Sequence, residues 1–334
     1  PTTGIIAELS KQMNPSLTPD YLTCLENPSD ASCVDSGDSL WSDTASNAGA
    51  NFGYALVWAL LFSVVATVVL QEMAARQALA TRAGLAETMR TAFSSPILGR
   101  LAVILVVAAI GLGNAAYEAG NITGAAVAVA GVTGSGTGPW AIAIGVGAAL
   151  LLGTGHYRLL ERVLIALVLL MSAVFLACAV VAAPGPEIVV EALARPGFPE
   201  GSALTVIALI GTTVVPYNLF LHANAAREKW PASVPLAEAL PAARRDSVLS
   251  IGLGGLITLA ILSTAAVAFF GSDEAFDAFA MAAQLEPLLG PAAGPVFAAG
   301  LFAGGLTSAL TAPLAAGYAV CGALGWRGGL RDRP

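Results

Sequence analysis

The sequence predicts an all-α polytopic membrane protein, and three observations carry that reading. Of the 334 residues, 56% are hydrophobic and only 11% charged, with a mean hydropathy of +0.76, far more apolar than a water-soluble domain. The apolar residues fall into runs near the length of about 20 residues that a helix needs to cross the hydrocarbon core. Between the runs, basic and non-basic links alternate without exception, as expected if Lys and Arg density sets orientation. The net charge of −7 adds little, because the acids cluster in a few loops and at the amino terminus.

The chain opens on residues 1 to 47, which hold Glu8, Asp20, Glu26, Asp30, Asp35, Asp38 and Asp43 against Lys11 alone. Scattered prolines and the lack of a spanning run predict a loosely ordered acidic head. No basic patch followed by an apolar core marks a signal peptide. Cys24 and Cys33 are close enough in sequence to pair in an oxidising space or to remain two thiols. The four cysteines do not make a disulfide scaffold, and no Cys and His spacing matches a zinc site. Cys178 reads as a small apolar residue in a helix.

Seven spans follow, at about 52–73, 101–130, 140–155, 163–183, 202–225, 247–271 and 290–324. The third is short, and the last is long enough to tilt or to kink at Pro313. Arg76, Arg82, Arg90 and Arg100 follow the first span, and the uncharged VTGSGTG follows the second. Arg158 and Arg162 follow the third, whereas the fourth link sets Glu187, Glu191 and Glu200 against Arg195. Arg227, Lys229, Arg244 and Arg245 follow the fifth, and Asp273, Glu274, Asp277 and Glu286 follow the sixth. Residues 48–326 thus form a transmembrane domain with its basic links in the cytoplasm, and 327–334 form a basic tail with Arg327, Arg331 and Arg333.

Ionisable groups inside spans are functional hypotheses by default. Glu118 lies deep in the second span, and Asn114 and Asn121 share its helical face at i, i+4, i+7 spacing. A carboxylate with two carboxamides on one stripe suits cation coordination or proton passage. The alternative is a protonated glutamate bonded within the bundle. His222 suits a proton relay or an interhelical hydrogen bond, and His156 beside Arg158 reads as interfacial. Glu72, at the cytoplasmic end of its span, reads as part of a salt-bridged interface.

The fifth span contains the chain's strongest irregularity, Ile210 to Ala223, reading IGTTVVPYNLFLHA. Pro216 interrupts the backbone ladder and frees carbonyls that the bilayer cannot satisfy. Broken helices at mid-membrane depth are where secondary transporters bind cargo, and a plain proline kink is the alternative. Asn218 offers a carbonyl oxygen. Thr212 and Thr213 offer hydroxyls and backbone carbonyls. These hard oxygen donors suit magnesium, calcium or manganese better than soft metals.

VVPYNLFLHA resembles the sixth-helix signature of the NRAMP metal-ion transporters: methionine, proline, histidine, asparagine, then a leucine-rich stretch ending in histidine and serine. NAGANFGYALVWALLFSVVATVVLQEMAAR is similar to the join between that family's first and second helices. QLEPLLG with LFAGGLTSALTAPLAAG is similar to its eighth, so the likeness covers residues 44–326. The resemblance implies a LeuT-type inverted-repeat fold, two five-helix repeats whose broken first and sixth helices meet at the ion. Here that fold is expected to be incomplete, with helices two to eight of the family pattern.

The departures from the pattern matter. Val215 stands where the family has its metal-binding methionine, which removes the soft ligand. Tyr217 replaces the first histidine, and His222 keeps the second. Glu118 falls on an acidic proton-path position, whereas Asn121 occupies its companion acid position. Thr212 falls where a backbone carbonyl reaches the metal. Asp38, Ser39, Leu40 and Trp41 stand in the register of the first-helix signature aspartate, proline, glycine, asparagine. Only the aspartate agrees, and the expectation is that the head replaces the first helix.

The resulting expectation is a transporter in a bacterial plasma membrane, moving a divalent cation by alternating access. Thr212, Val215 and Asn218 form the ion-site half at Pro216, and Glu118, Asn121, Tyr217 and His222 form a proton path or supporting positions. Magnesium or manganese is expected as cargo ahead of iron. The partners are the ion, protons and the bilayer; no organic cofactor and no nucleic acid are expected. The alternatives are a relative carrying another solute and a truncated, non-transporting chain. An enzyme is not expected, since no HExxH motif, intramembrane aspartate pair or serine with a histidine base is present.

Overall fold

The computed structural model describes residues 40–154, 157–182, 185–271 and 290–326, all within the larger of two compact units, Ser39–Pro334. Cys24, Cys33, Asp38, His156, the acidic link with Asp273, Glu274, Asp277 and Glu286, and the tail arginines lie outside the described residues.

Eleven α-helices run through the described chain: α1 Leu40–Phe52, α2 Val57–Thr81, α3 Leu85–Thr91, α4 Pro96–Thr133, α5 Thr137–Gly153, α6 Tyr157–Ala182, α7 Pro186–Ala194, α8 Ala203–Thr213, α9 Pro216–Lys229, α10 Leu236–Phe269 and α11 Ala293–Leu324. No strand occurs among the described residues. Among the described residues five stretches are long and apolar enough to cross a bilayer: Val57–Thr81, Ile97–Thr133, Ala203–Lys229 taken across its break, Leu236–Phe269 and Gly290–Leu324. Thr137–Gly153 is shorter, as its sequence anticipates, and α6 runs 26 residues. All seven expected spans therefore have helical counterparts.

Helix–helix contact in a bilayer depends on close packing, because lipid tails are as apolar as leucine. Small residues supply that contact along α11, where Gly300, Ala303, Gly304, Gly305, Ala309, Ala312 and Ala315 are buried. The pairing of α11 with α4 is the most extensive in the fold. A Cβ on Gly305 would lie 2.7 Å from the Asn121 carbonyl oxygen, so only glycine admits this approach. Pro313 is accommodated inside the continuous α11, and beside it the Asn114 amide donates to the Ala312 carbonyl at 3.0 Å. The opposite faces meet lipid. On α5, Ile142, Val146 and Leu150 are exposed while Ile144 and Ala148 are buried, the i, i+4 pattern of a helix with one protein side and one lipid side.

Helix α1 runs across the expected boundary at residue 47. It runs unbroken from Leu40 to Phe52 and packs on α10 and α8, so residues 40–47 belong to the bundle. Its buried face includes Ala45, Ser46, Ala48 and Ala50, with Gly49 packed so closely on α10 that a Cβ would collide with the Leu262 carbonyl. Alanine and glycine give a weak hydropathy signal yet allow the closest helix contact.

Helix α10 begins at Leu236, well before the expected span start at 247. At 1.5 Å per residue its 34 residues are longer than the hydrocarbon core of about 30 Å. Its first turns, with Glu238, Arg244, Arg245 and Asp246, therefore project from the bilayer. Two short helices also occupy links: α3, where the Gly84 amide donates to the Glu87 carboxylate three residues on, and α7, opened by Pro186 with Glu187 in its first turn.

Candidate functional site

The helix break at Pro216 is real. Helix α8 ends at Thr213, Val214 caps it, and Val215 is extended (φ −79°, ψ 121°) before Pro216 opens α9. The residue before a proline is driven out of the α region by the pyrrolidine ring, which accounts for Val215. The last carbonyls of α8 can then be followed one by one. Ile210 accepts from the Val214 amide at 2.8 Å. Gly211 accepts from the Tyr117 hydroxyl at 3.3 Å, and the Thr213 carbonyl lies 3.4 Å from the Thr67 hydroxyl, whose single proton makes its shorter bond, 2.7 Å, to the Ser63 carbonyl. In a continuous helix the Thr212 carbonyl would pair with the amide of residue 216, but proline has none. Among the described residues nothing donates to it. The break therefore frees the Thr212 carbonyl oxygen at the negative end of the α8 dipole.

On the α9 side, Val215, Tyr217 and Phe220 are buried in an apolar wall with Val106 and Ile110 of α4 and Ala312, Ala315 and Ala319 of α11. The Val215 side chain carries no donor atom, so any contribution to an ion comes from its backbone. Tyr217 stacks edge-on against Tyr117, with ring centroids 6.2 Å apart. Asn218 is half-buried in the first turn of α9, and its amide donates to the Val215 carbonyl at 3.1 Å.

Helix α4 presents the polar stripe to this region. Asn114 and Asn121 are buried, and one carboxylate oxygen of Glu118 is buried without a hydrogen-bond partner. Tyr117, on the same helix, meets Tyr217 of α9 edge-on. The stripe and the start of α9 are thus brought together, though Asn114 is committed to tying α4 to α11. His222 points elsewhere: its Nε2 is 2.9 Å from the Ser247 hydroxyl of α10, and Ser247 donates to the Ala243 carbonyl at 3.0 Å.

The ends of the same helices are tied by ions. Glu72 takes both Arg76 and Arg244 at 2.7 Å, joining α2 to α10 as its sequence position suggests. Arg227 pairs with Glu87 at 3.3 Å and Lys229 with Asp246 at 2.7 Å. Among the described residues no group of three or more His, Cys, Asp or Glu side chains converges as a metal cage. Thr67 and Tyr117, which meet carbonyls of the broken helix, are not singled out by the sequence alone. For Tyr117 the signal is its place between Asn114 and Asn121 on one helical face. Thr67 gives none.

A helical bundle with five stretches among its described residues long and apolar enough to cross a bilayer, one of them interrupted at Pro216, is an integral membrane protein by length and composition. Residues 34–333 match the family described as natural resistance-associated macrophage protein-like, and the chain belongs to that family. It is 31% identical over 250 residues to the divalent metal cation transporter MntH of Verminephrobacter eiseniae, covering 74% of this chain and 56% of that protein. It is 28% identical over 250 residues to MntH of Pectobacterium carotovorum, covering 73% and 59%. The crystal structure of the Eremococcus coleocola manganese transporter superposes with a TM-score of 0.73 at 22% identity, over 89% of this chain and 65% of that one. The chain therefore spans a little over half the length of the curated relatives it matches.

Proposed function

We propose that this protein moves a divalent metal cation across the membrane by alternating access, with the ion held at the break between α8 and α9. The observation that carries the proposal is the Thr212 carbonyl, freed by Pro216 and left without a donor among the described residues. The Asn218 carboxamide would add a second neutral oxygen. Oxygen donors without sulfur or imidazole favour manganese or magnesium over softer ions, and relatives named as divalent metal cation transporters support the cargo class. Glu118, with Asn121 beside it and Tyr217 opposite, supplies the titratable group through which protons would couple to transport. His222, bonded to Ser247, would act at the far end of α9.

The test is uptake by the purified chain in sealed proteoliposomes. Saturable manganese or magnesium entry is expected, and Glu118→Gln should remove its dependence on a pH gradient while leaving ion binding. Absence of flux for both ions from sealed vesicles would overturn the assignment.

A further inference from the structure

Helices α3, α4 and α11 meet at one end of the bundle around two arginines. Gly99, in the first turn of α4, packs on the end of α3, where a Cβ would lie 3.4 Å from the Arg90 carbonyl oxygen. Gly325 closes α11, and a Cβ there would collide with the Arg90 guanidinium. Arg100 follows Gly99 directly. Arg90 and Arg100 are both exposed, and neither guanidinium has an ion pair or a hydrogen bond among the described residues. Other cations at this end are committed: Arg76 and Arg244 to Glu72, Lys229 to Asp246, and Arg82 to the Trp230 carbonyl. Glu87, one turn before Arg90, is taken up by Arg227 and by the Gly84 amide.

The surroundings of the two arginines are apolar. On α4, Ile97, Leu101 and Ile104 follow i, i+4, i+7 spacing and are 70%, 55% and 62% exposed, the stripe of a helix that faces lipid. Arg100 falls on the same face, three residues after Ile97. Phe93, in the link between α3 and α4, and Trp326, next after Gly325, are exposed as well, and aromatic rings of this kind favour the membrane–water interface. The 38 residues of α4 extend about 57 Å at 1.5 Å per residue. That exceeds the roughly 40–45 Å of a bilayer with its headgroups, so the first turns of α4 lie at headgroup level. A guanidinium on a lipid-facing stripe is costly unless it reaches that layer. Helical side chains lean toward the amino end, which for Arg100 is the direction of both the headgroups and Arg90.

A phosphate diester accepts paired N–H bonds from the guanidinium fork. Two adjacent forks without a free carboxylate beside them favour a headgroup whose phosphate charge is not offset by an ammonium of its own. We propose that this junction binds an anionic phospholipid, its phosphate held by Arg90 and Arg100 and its acyl chains lying along Ile97, Leu101 and Ile104. The site shares no residue with the helix break and stands whether or not an ion binds there.

The test is native mass spectrometry of the purified full chain, released from detergent that contains equal amounts of phosphatidylglycerol and phosphatidylcholine of different mass. Each arginine beside an anionic headgroup favours it roughly fivefold, so retention of phosphatidylglycerol at least about tenfold over phosphatidylcholine is expected. Arg100→Gln should cut that preference at least about threefold, and Arg90→Gln combined with Arg100→Gln should abolish it. Arg245→Gln removes one exposed charge from α10 and should leave the preference unchanged. Thermal unfolding of each variant confirms that it is folded. The proposal is overturned if the parent chain shows no preference, or if folded Arg100→Gln and the double variant keep the parental preference. It is overturned equally if Arg245→Gln lowers the preference as much as Arg100→Gln, which would make the attraction a general property of the basic surface, or if equimolar inorganic phosphate displaces the lipid, which would make this a free-phosphate site.

Discussion

The Tyr117 hydroxyl donates to the carbonyl of Gly211 across 3.3 Å, linking the polar stripe of α4 to the last turn of α8. It takes up one carbonyl of that turn, whereas nothing among the described residues donates to the carbonyl of Thr212. Tyr117→Phe removes the donor and keeps the edge contact with Tyr217. Because the bond is long and partly exposed, the expected loss is about 1 kcal/mol or less of stability. Thermal unfolding in detergent would register this as a small fall in midpoint.

Val215→Met introduces a thioether where the chain has a hydrocarbon. Soft sulfur raises affinity for soft and borderline ions and does little for magnesium. Cadmium affinity should rise at least tenfold with magnesium unchanged, as read by calorimetric titration. The buried wall around Val215 must admit a longer side chain, and a stability cost of about 1–3 kcal/mol accompanies the gain.

Gly305→Ala reverses the usual sign of a glycine replacement in a helix. Alanine normally stabilises a helix interior by about 1 kcal/mol over glycine. Here its Cβ would stand 2.7 Å from the Asn121 carbonyl oxygen and 2.9 Å from the Ala125 Cβ. The net effect should be a destabilisation of about 1–3 kcal/mol from overpacking, visible as a lower midpoint and, since Asn121 neighbours Glu118, as slower transport.

Glu72→Gln separates charge from shape at the junction of α2 and α10. The carboxylate, only 12% exposed, serves Arg76 and Arg244 at once, so its loss should exceed the cost of Arg76→Ala, which leaves the Arg244 pair intact. Values of about 1–2 kcal/mol against less than 1 kcal/mol follow from charge-assisted and exposed pairs respectively. Comparing the two midpoints at low and high salt checks the order.

The transmembrane spans were legible because each is written as a run of apolar residues, and the break because Pro216 has no amide to give. Helix α1 was not, because its buried face is built from alanine and glycine, whose worth lies in how closely α10 can approach them. The polar stripe of α4 follows from helical spacing alone, whereas its division of labour does not: only packing shows that Asn114 is held by Ala312 while a Glu118 oxygen stays unpaired. His222 shows the same limit, since spacing along α9 cannot say that it turns to Ser247 of α10.

The central claim is that the Thr212 carbonyl, released by proline, binds the divalent ion. Pro216→Ala returns an amide to position 216 and lets the helix close over that oxygen. Calorimetric titration of manganese into the purified Pro216→Ala chain tests this most directly. A fall in affinity of at least tenfold with helix content preserved or increased is the predicted result, and parental affinity in the folded variant would contradict the account.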